Sequence, residues 1–204
     1  MKHFYLTILS ISLSLLILSG CGDSESVLEI NRAIDKVHLA QTSVSAFPTD
    51  SINSVRARLS QAKEEFKWLA LDSNVVFVQS DAKIVGDLAL ASRYLKDVPS
   101  RISGLKNEIE RCRSQLKGLR EVIELEITID ANGDTINAKY LNENLQIELD
   151  AVKNLDLVLL ETSRLIRLGL STDSSSWDAI DSLITVKKGM WARGVSEQEL
   201  ISEK

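Results

Sequence analysis

Between Ile102 and Ile123 the chain places Ile102, Leu105, Ile109, Cys112, Leu116, Leu119 and Ile123 at alternating steps of three and four residues. Nothing else in the sequence constrains the fold as tightly. A step of about 3.5 residues lays one apolar stripe along an α-helix and scatters the same residues over both faces of a strand. The rhythm recurs upstream. Val27, Ile30, Ile34, Val37 and Val44 carry it from Ser24 to about Ala46, with Gln41 as a polar interruption. Ile52, Val55, Leu59, Ala62, Phe66 and Leu69 repeat it, while Arg56, Arg58, Lys63, Glu64, Glu65 and Lys67 take the other faces. Two prolines, nine glycines and 5% aromatic residues are too few for the turns and branched or aromatic strands of a β domain.

The breaks between these segments come from local chemistry. Phe47-Pro48 ends the first helix, since a residue before proline is pushed out of helical geometry, and Thr49, Asp50 and Ser51 offer a cap for the next. Asp72-Ser73-Asn74 is a weak break. Val75-Val76-Phe77-Val78 alone resembles a short buried strand, but Ala82, Val85, Leu88 and Leu95 continue at helical spacing and predict a third helix to about Asp97, with its continuity to the second left open. Pro99 suits the first turn of a fourth helix, which to Ile127 would be about 40 Å long. Asn132-Gly133 makes a turn. A fifth helix is expected from about Ile136 to Leu170, with Ala138, Leu141, Leu145, Val152, Leu155, Leu159 and Ile166 as its seam and Ile147, Leu149, Leu157, Val158, Leu160, Leu165 and Leu168 widening the apolar surface. The polar run Thr172–Ser176 predicts a break, with Ser175 and Asp178 as a capping box. A last helix then carries Trp177, Ile180, Ile184 and Trp191 on one side.

The start of the chain has a different character. Met1-Lys2-His3 is followed by an apolar stretch from Phe4 to Leu18, interrupted by Thr7, Ser10, Ser12 and Ser14. A spanning helix needs about 20 predominantly apolar residues, so this stretch fits the short hydrophobic region of an export signal. It leads into Leu18-Ser19-Gly20-Cys21, which resembles the lipobox of bacterial lipoproteins: an aliphatic residue, two small residues and a cysteine. The resemblance implies cleavage between Gly20 and Cys21, a diacylglyceryl thioether on the Cys21 sulfur and an acyl group on its new N-terminus. Each buried methylene contributes about 0.8 kcal/mol, and several chains together make such an anchor stable. In enterobacterial lipoproteins an aspartate directly after the cysteine marks inner-membrane retention. Here Gly22 takes that place and Asp23 follows, so the resemblance implies the outer membrane facing the periplasm, with the inner membrane and cell surface left open. The resemblance ends at Cys21.

Charge and chemistry narrow the function classes. The formal net charge is −5, and losing Lys2 with the leader makes it one unit more negative. Arg111, Arg113, Lys117 and Arg120 are surrounded by Glu108, Glu110, Glu121 and Glu124, which describes a solvated helix face and no nucleic-acid footprint. With His3 in the leader, His38 is the mature chain's histidine, so a histidine zinc cluster or a nucleophile-histidine-acid triad has no support. Phosphate loops, dinucleotide fingerprints and Cys-x-x-Cys pairs do not occur. If Cys21 is lipidated, Cys112 is expected to be a buried small residue or a thiol for pairing between chains. Asp130, Asn132 and Asp134 resemble the start of a calcium loop. The match fails at Thr135, where glycine is required, and at Leu141, where a bidentate glutamate is required, so a plain turn is the preferred reading and no metal is assigned.

These readings combine into one expectation. The chain is an all-α, elongated antiparallel helical bundle with coiled-coil-like heptad seams and about five to six helices, divided into a leader (1–20), a lipidated tether (21–26), a helical domain (27–192) and a short tail (193–204). No catalytic residues or cofactor are expected. Its partners would be the membrane, through the lipid, and an envelope protein, with self-association open. Trp177 and Trp191, four turns apart, would lie on one face and mark a possible docking surface. The alternative is a small-ligand- or lipid-binding module with its pocket near Trp68, Tyr94, Trp177 or Trp191.

Overall fold

The computed structural model describes residues 25–130 and 132–202; the leader, the cleavage position Gly20 and the lipid site Cys21 lie outside them. Five helices account for the described chain: α1 (Glu25–Ser45), α2 (Thr49–Leu69), α3 (Asp81–Leu95), α4 (Val98–Glu124) and α5 (Ala138–Ser202). The protein is all-helical, with no strand among the described residues. One isolated bridge joins Ile129 to Thr135.

The seams of α1, α2 and α4 fall largely where the spacing puts them, whereas in α5 Ala138 is exposed and Leu141 and Leu159 are half-buried. In α2 the buried residues are Ile52, Val55, Leu59, Ala62, Phe66 and Leu69. In α4, Ile102, Leu105, Ile109, Cys112, Leu116 and Leu119 are buried and Ile123 is half-buried. α1 buries Val27, Ile30, Val37 and Val44, and adds Ala33 and Ala40, small residues on the same stripe.

The described residues form two units. In the first (25–39 and 110–153), α1, α4 and the start of α5 pack together. Arg120 Nη1 donates to Asn31 Oδ1 at 3.2 Å, and the Arg111 guanidinium meets Glu148 at 3.4 Å. Cys112 is fully buried in this core, as is Leu116, the first of the two roles expected for it. In the second unit (40–109 and 154–202), α2, α3 and the start of α4 pack on the rest of α5. Arg58 pairs with Asp173, and Glu65 with Lys188 at 2.8 Å, so α2 runs parallel to α5. Asp81 meets Lys187 while Leu95 sits against Gly169, so α3 runs antiparallel to it.

Three local expectations are corrected, and the start of the third helix, which the spacing left open, is fixed. Residues 75–80 are irregular and α3 begins at Asp81, because Asp72 and Asp81 divert backbone donors: Asn74 N–H bonds Asp72 Oδ1 at 2.8 Å and Val78 N–H bonds Asp81 Oδ2 at 3.0 Å. No side chain caps α2; Pro48 precedes it, and Ile52 N–H bonds the Pro48 carbonyl at 3.0 Å. Thr172–Ser176 does not break a helix. Ser175 and Ser176 hydroxyls donate back to the Thr172 carbonyl at 3.0 and 2.7 Å, and buried Asp173 is held by Arg58, so this polar run continues α5. Ser175 therefore forms no capping box. Finally, Ile147, Leu157, Val158 and Leu160 do not widen a buried seam but are exposed.

The glycines distinguish packing from propensity. A Cβ on Gly169 would run into Cγ and Cδ2 of Leu95, itself fully buried, whereas Gly86 and Gly104 have nothing within 4 Å. Gly169→Ala should therefore lower stability in urea melts by about 1 kcal/mol or more through overpacking, despite its better helix propensity. Gly86→Ala in α3 should raise it by up to about 1 kcal/mol.

Candidate functional site

The most unusual burial in the second unit lies on α5. Asp173, Ile180, Ile184 and Lys187 follow steps of seven, four and three, so two charged residues occupy apolar-seam positions. Both are buried: Asp173 is 2% exposed and Lys187 3%. Buried charge is costly unless paired and hydrogen-bonded. Asp173 receives the Arg58 guanidinium, whose Nε donates to Oδ1 at 3.1 Å, and Arg58 also lies 4.5 Å above the Trp177 ring.

Lys187 gathers its partners from the segment before α3. Its Nζ donates to Asp81 Oδ2 at 2.7 Å and to the Val76 carbonyl at 2.6 Å, and sits 5.0 Å from the centroid of the Phe77 ring. A carboxylate, a carbonyl and a ring face thus take up the ammonium. The arrangement is a clasp. It ties residues 76–80, which have no helix or strand of their own, and the start of α3 to α5.

The clasped segment completes an apolar groove of about 460 Å³ against α2 and α3, walled by Phe66, Ala70, Phe77, Val78, Ala82 and Val85. Phe66 and Phe77 meet edge to face at 6.1 Å. Val76 and Val78 of the clasped segment are exposed, as is Leu71 just past the end of α2, at 83%. On another face of α2, Trp68 rests on Trp191 with ring centroids 4.9 Å apart.

The residues singled out by sequence are distributed differently. Trp177 and Trp191 are both half-buried, the first under Arg58 and the second against Trp68. Tyr94 is half-buried beneath Arg93. The groove is walled by Phe66 and Phe77, which sequence reasoning did not select. His38 is on the exposed side of α1. At the α4–α5 connection, Asp130 Oδ1 accepts the N–H groups of Asn132 and Asp134, both at 2.9 Å, and Gly133 takes φ 90°, so the Asp130 carboxylate serves its own turn. Among the described residues no three His, Cys, Asp or Glu side chains are grouped to hold a metal. The missed signal for the clasp was a lysine at a seam position, three residues after Ile184.

No helix among the described residues is long and apolar enough to cross a membrane. Comparison with protein-family models, curated proteins and solved structures finds no match to this chain.

Asp81 is held below the usual aspartate range, chiefly by the hydrogen bond from Lys187 and then by the Val78 N–H, against the opposing effect of burial. A depressed folded pKa means stabilisation that is present above the ordinary value of 3.8 and lost as pH falls through the folded one. Asp81→Asn should therefore lower the melting temperature at neutral pH, and its deficit against the parent should shrink as pH falls below the ordinary aspartate range. A pH series of thermal melts checks this; a deficit that does not change with pH would show that the Asp81 charge is not what closes the clasp.

Proposed function

We propose that this chain is a lipid-anchored cell-envelope protein, non-catalytic, that acts as a scaffold, assembly helper or exclusion-type factor through protein contacts. The observation that carries this reading is the run Leu18-Ser19-Gly20-Cys21 at the end of an apolar leader. A lipid on Cys21 would hold the helices at a membrane without spanning it, at the outer membrane and facing the periplasm. The long heptad seams support intrachain packing of a coiled-coil kind and leave self-association available. Exposed Leu71, Val76 and Val78 offer an envelope protein apolar surface to bury, and buried Lys187 is committed to the clasp that holds Val76.

A second reading is favoured by the groove itself. Walls of Phe66, Ala70, Phe77, Val78, Ala82 and Val85 suit a small apolar ligand or acyl chain. In that case a fatty acid would raise the melting temperature of the parent and not of Phe77→Ala.

Cys21→Ser should abolish incorporation of labelled fatty acid and move the protein from the membrane to the soluble fraction. Unchanged labelling and fractionation would reject the anchor. In-cell crosslinking of the parent should then trap a defined envelope protein, and Leu71→Asp with Val78→Asp should lose it.

A further inference from the structure

On a different flank of the second unit, α2 and α3 enclose a groove of about 420 Å³ whose lining is cationic and polar: Asn53, Arg56, Ser60 and Lys63 from α2, Ser92 from α3 and Lys96 just past its end. The α2 residues follow steps of three, four and three, so they form one stripe facing α3. Three cations line this space and no carboxylate does, in a chain of net charge −5. Other basic residues are matched along their own helix, as Lys67 is by Glu64 and Lys83 by Asp87. Arg56, Lys63 and Lys96 form no ion pair among the described residues.

Arg56 is held in place without being neutralised. Its Nη2 donates to the Lys96 carbonyl at 3.3 Å, which also offsets the negative end of α3, and the rest of its planar fork is left for another acceptor. At the floor, above fully buried Leu59, the Ser92 hydroxyl is covered and has no hydrogen-bond partner. A buried hydroxyl without a partner is costly, and the cost is relieved if the long cationic side chains swing to grip an oxyanion that reaches it.

We propose that this groove binds a phosphate-bearing anion. Arg56 supplies a forked contact to two phosphate oxygens, Lys63 and Lys96 supply charge from either wall, and Ser60, Ser92 and Asn53 supply neutral hydrogen bonds. The same chemistry would take a soluble phosphate compound or the phosphate of an anionic lipid headgroup.

The test is calorimetric titration of the full chain in neutral detergent with inorganic phosphate, and separately with short-chain phosphatidylglycerol against short-chain phosphatidylcholine. Saturable binding is expected, with affinity falling about tenfold in Arg56→Gln and in Lys63→Gln, the loss of one charge-assisted bond each, and unchanged in Lys67→Gln, which lies outside the groove. The Lys63 side chain forms no hydrogen bond or ion pair among the described residues, so its variant keeps the fold if Arg56→Gln does not. Tighter binding of inorganic phosphate assigns a soluble ligand, and tighter binding of phosphatidylglycerol assigns a headgroup. Absence of saturable binding to either, or an equal loss in Lys67→Gln, overturns the proposal.

Discussion

The second unit depends on one constraint: α5 carries charged residues on the face it buries. An aspartate and a lysine at seam positions cannot be shielded alone, because each would lose its hydration with nothing in return. Each therefore dictates what packs against it. Asp173 requires a cation from α2 and takes Arg58, and Lys187 requires anionic and carbonyl oxygens and takes Asp81 and Val76. Apolar stripes can slide by a turn at small cost. Buried ion pairs cannot, so these contacts set the register of α2 and α3 on α5.

From that register the surface follows. Holding Val76 and Asp81 to α5 leaves Phe77 and Val78 as a wall facing Phe66 and Ala70, and turns Val76 and Leu71 outward. The segment gains its shape from a charge it does not own, since no ladder or helix of its own fixes it. An apolar groove maintained by a neighbouring ion pair is also a groove whose shape can be altered without touching its walls. The cationic groove on the other flank is built from plain helix stripes of α2 and α3, with no clasp involved. The two surfaces differ in chemistry and in what supports them, so they can be disturbed separately.

Much of the helical framework was legible because periodic burial is a local property. The α2 seam is buried residue for residue, and α4 fails only at Ile123, near its end, where the core thins. What was not legible lies where a polar residue is satisfied by something remote in sequence. Thr172–Ser176 reads as a break because hydroxyls and a carboxylate usually favour caps and turns. It becomes helix because Arg58, 115 residues away, donates to Asp173. Val75–Val78, which alone resembles a short strand ahead of a helix of open start, is held outside any helix or strand by Asp72, Asp81 and Lys187. Leu157 and Leu160 read as core by composition alone, yet no neighbouring helix reaches them, so both stay exposed.

By itself the sequence determined that this chain is helical and where most of its seams run, because spacing is a short-range pattern. It also determined that histidine chemistry has little material to work with. Only the tertiary structure decided that α5 is continuous, that α3 starts at Asp81, and that the aromatic wall is Phe66 with Phe77 while the tryptophans pack elsewhere. Those outcomes turn on which buried charge meets which partner across more than a hundred residues, and desolvation makes that choice in space, where no local pattern records it.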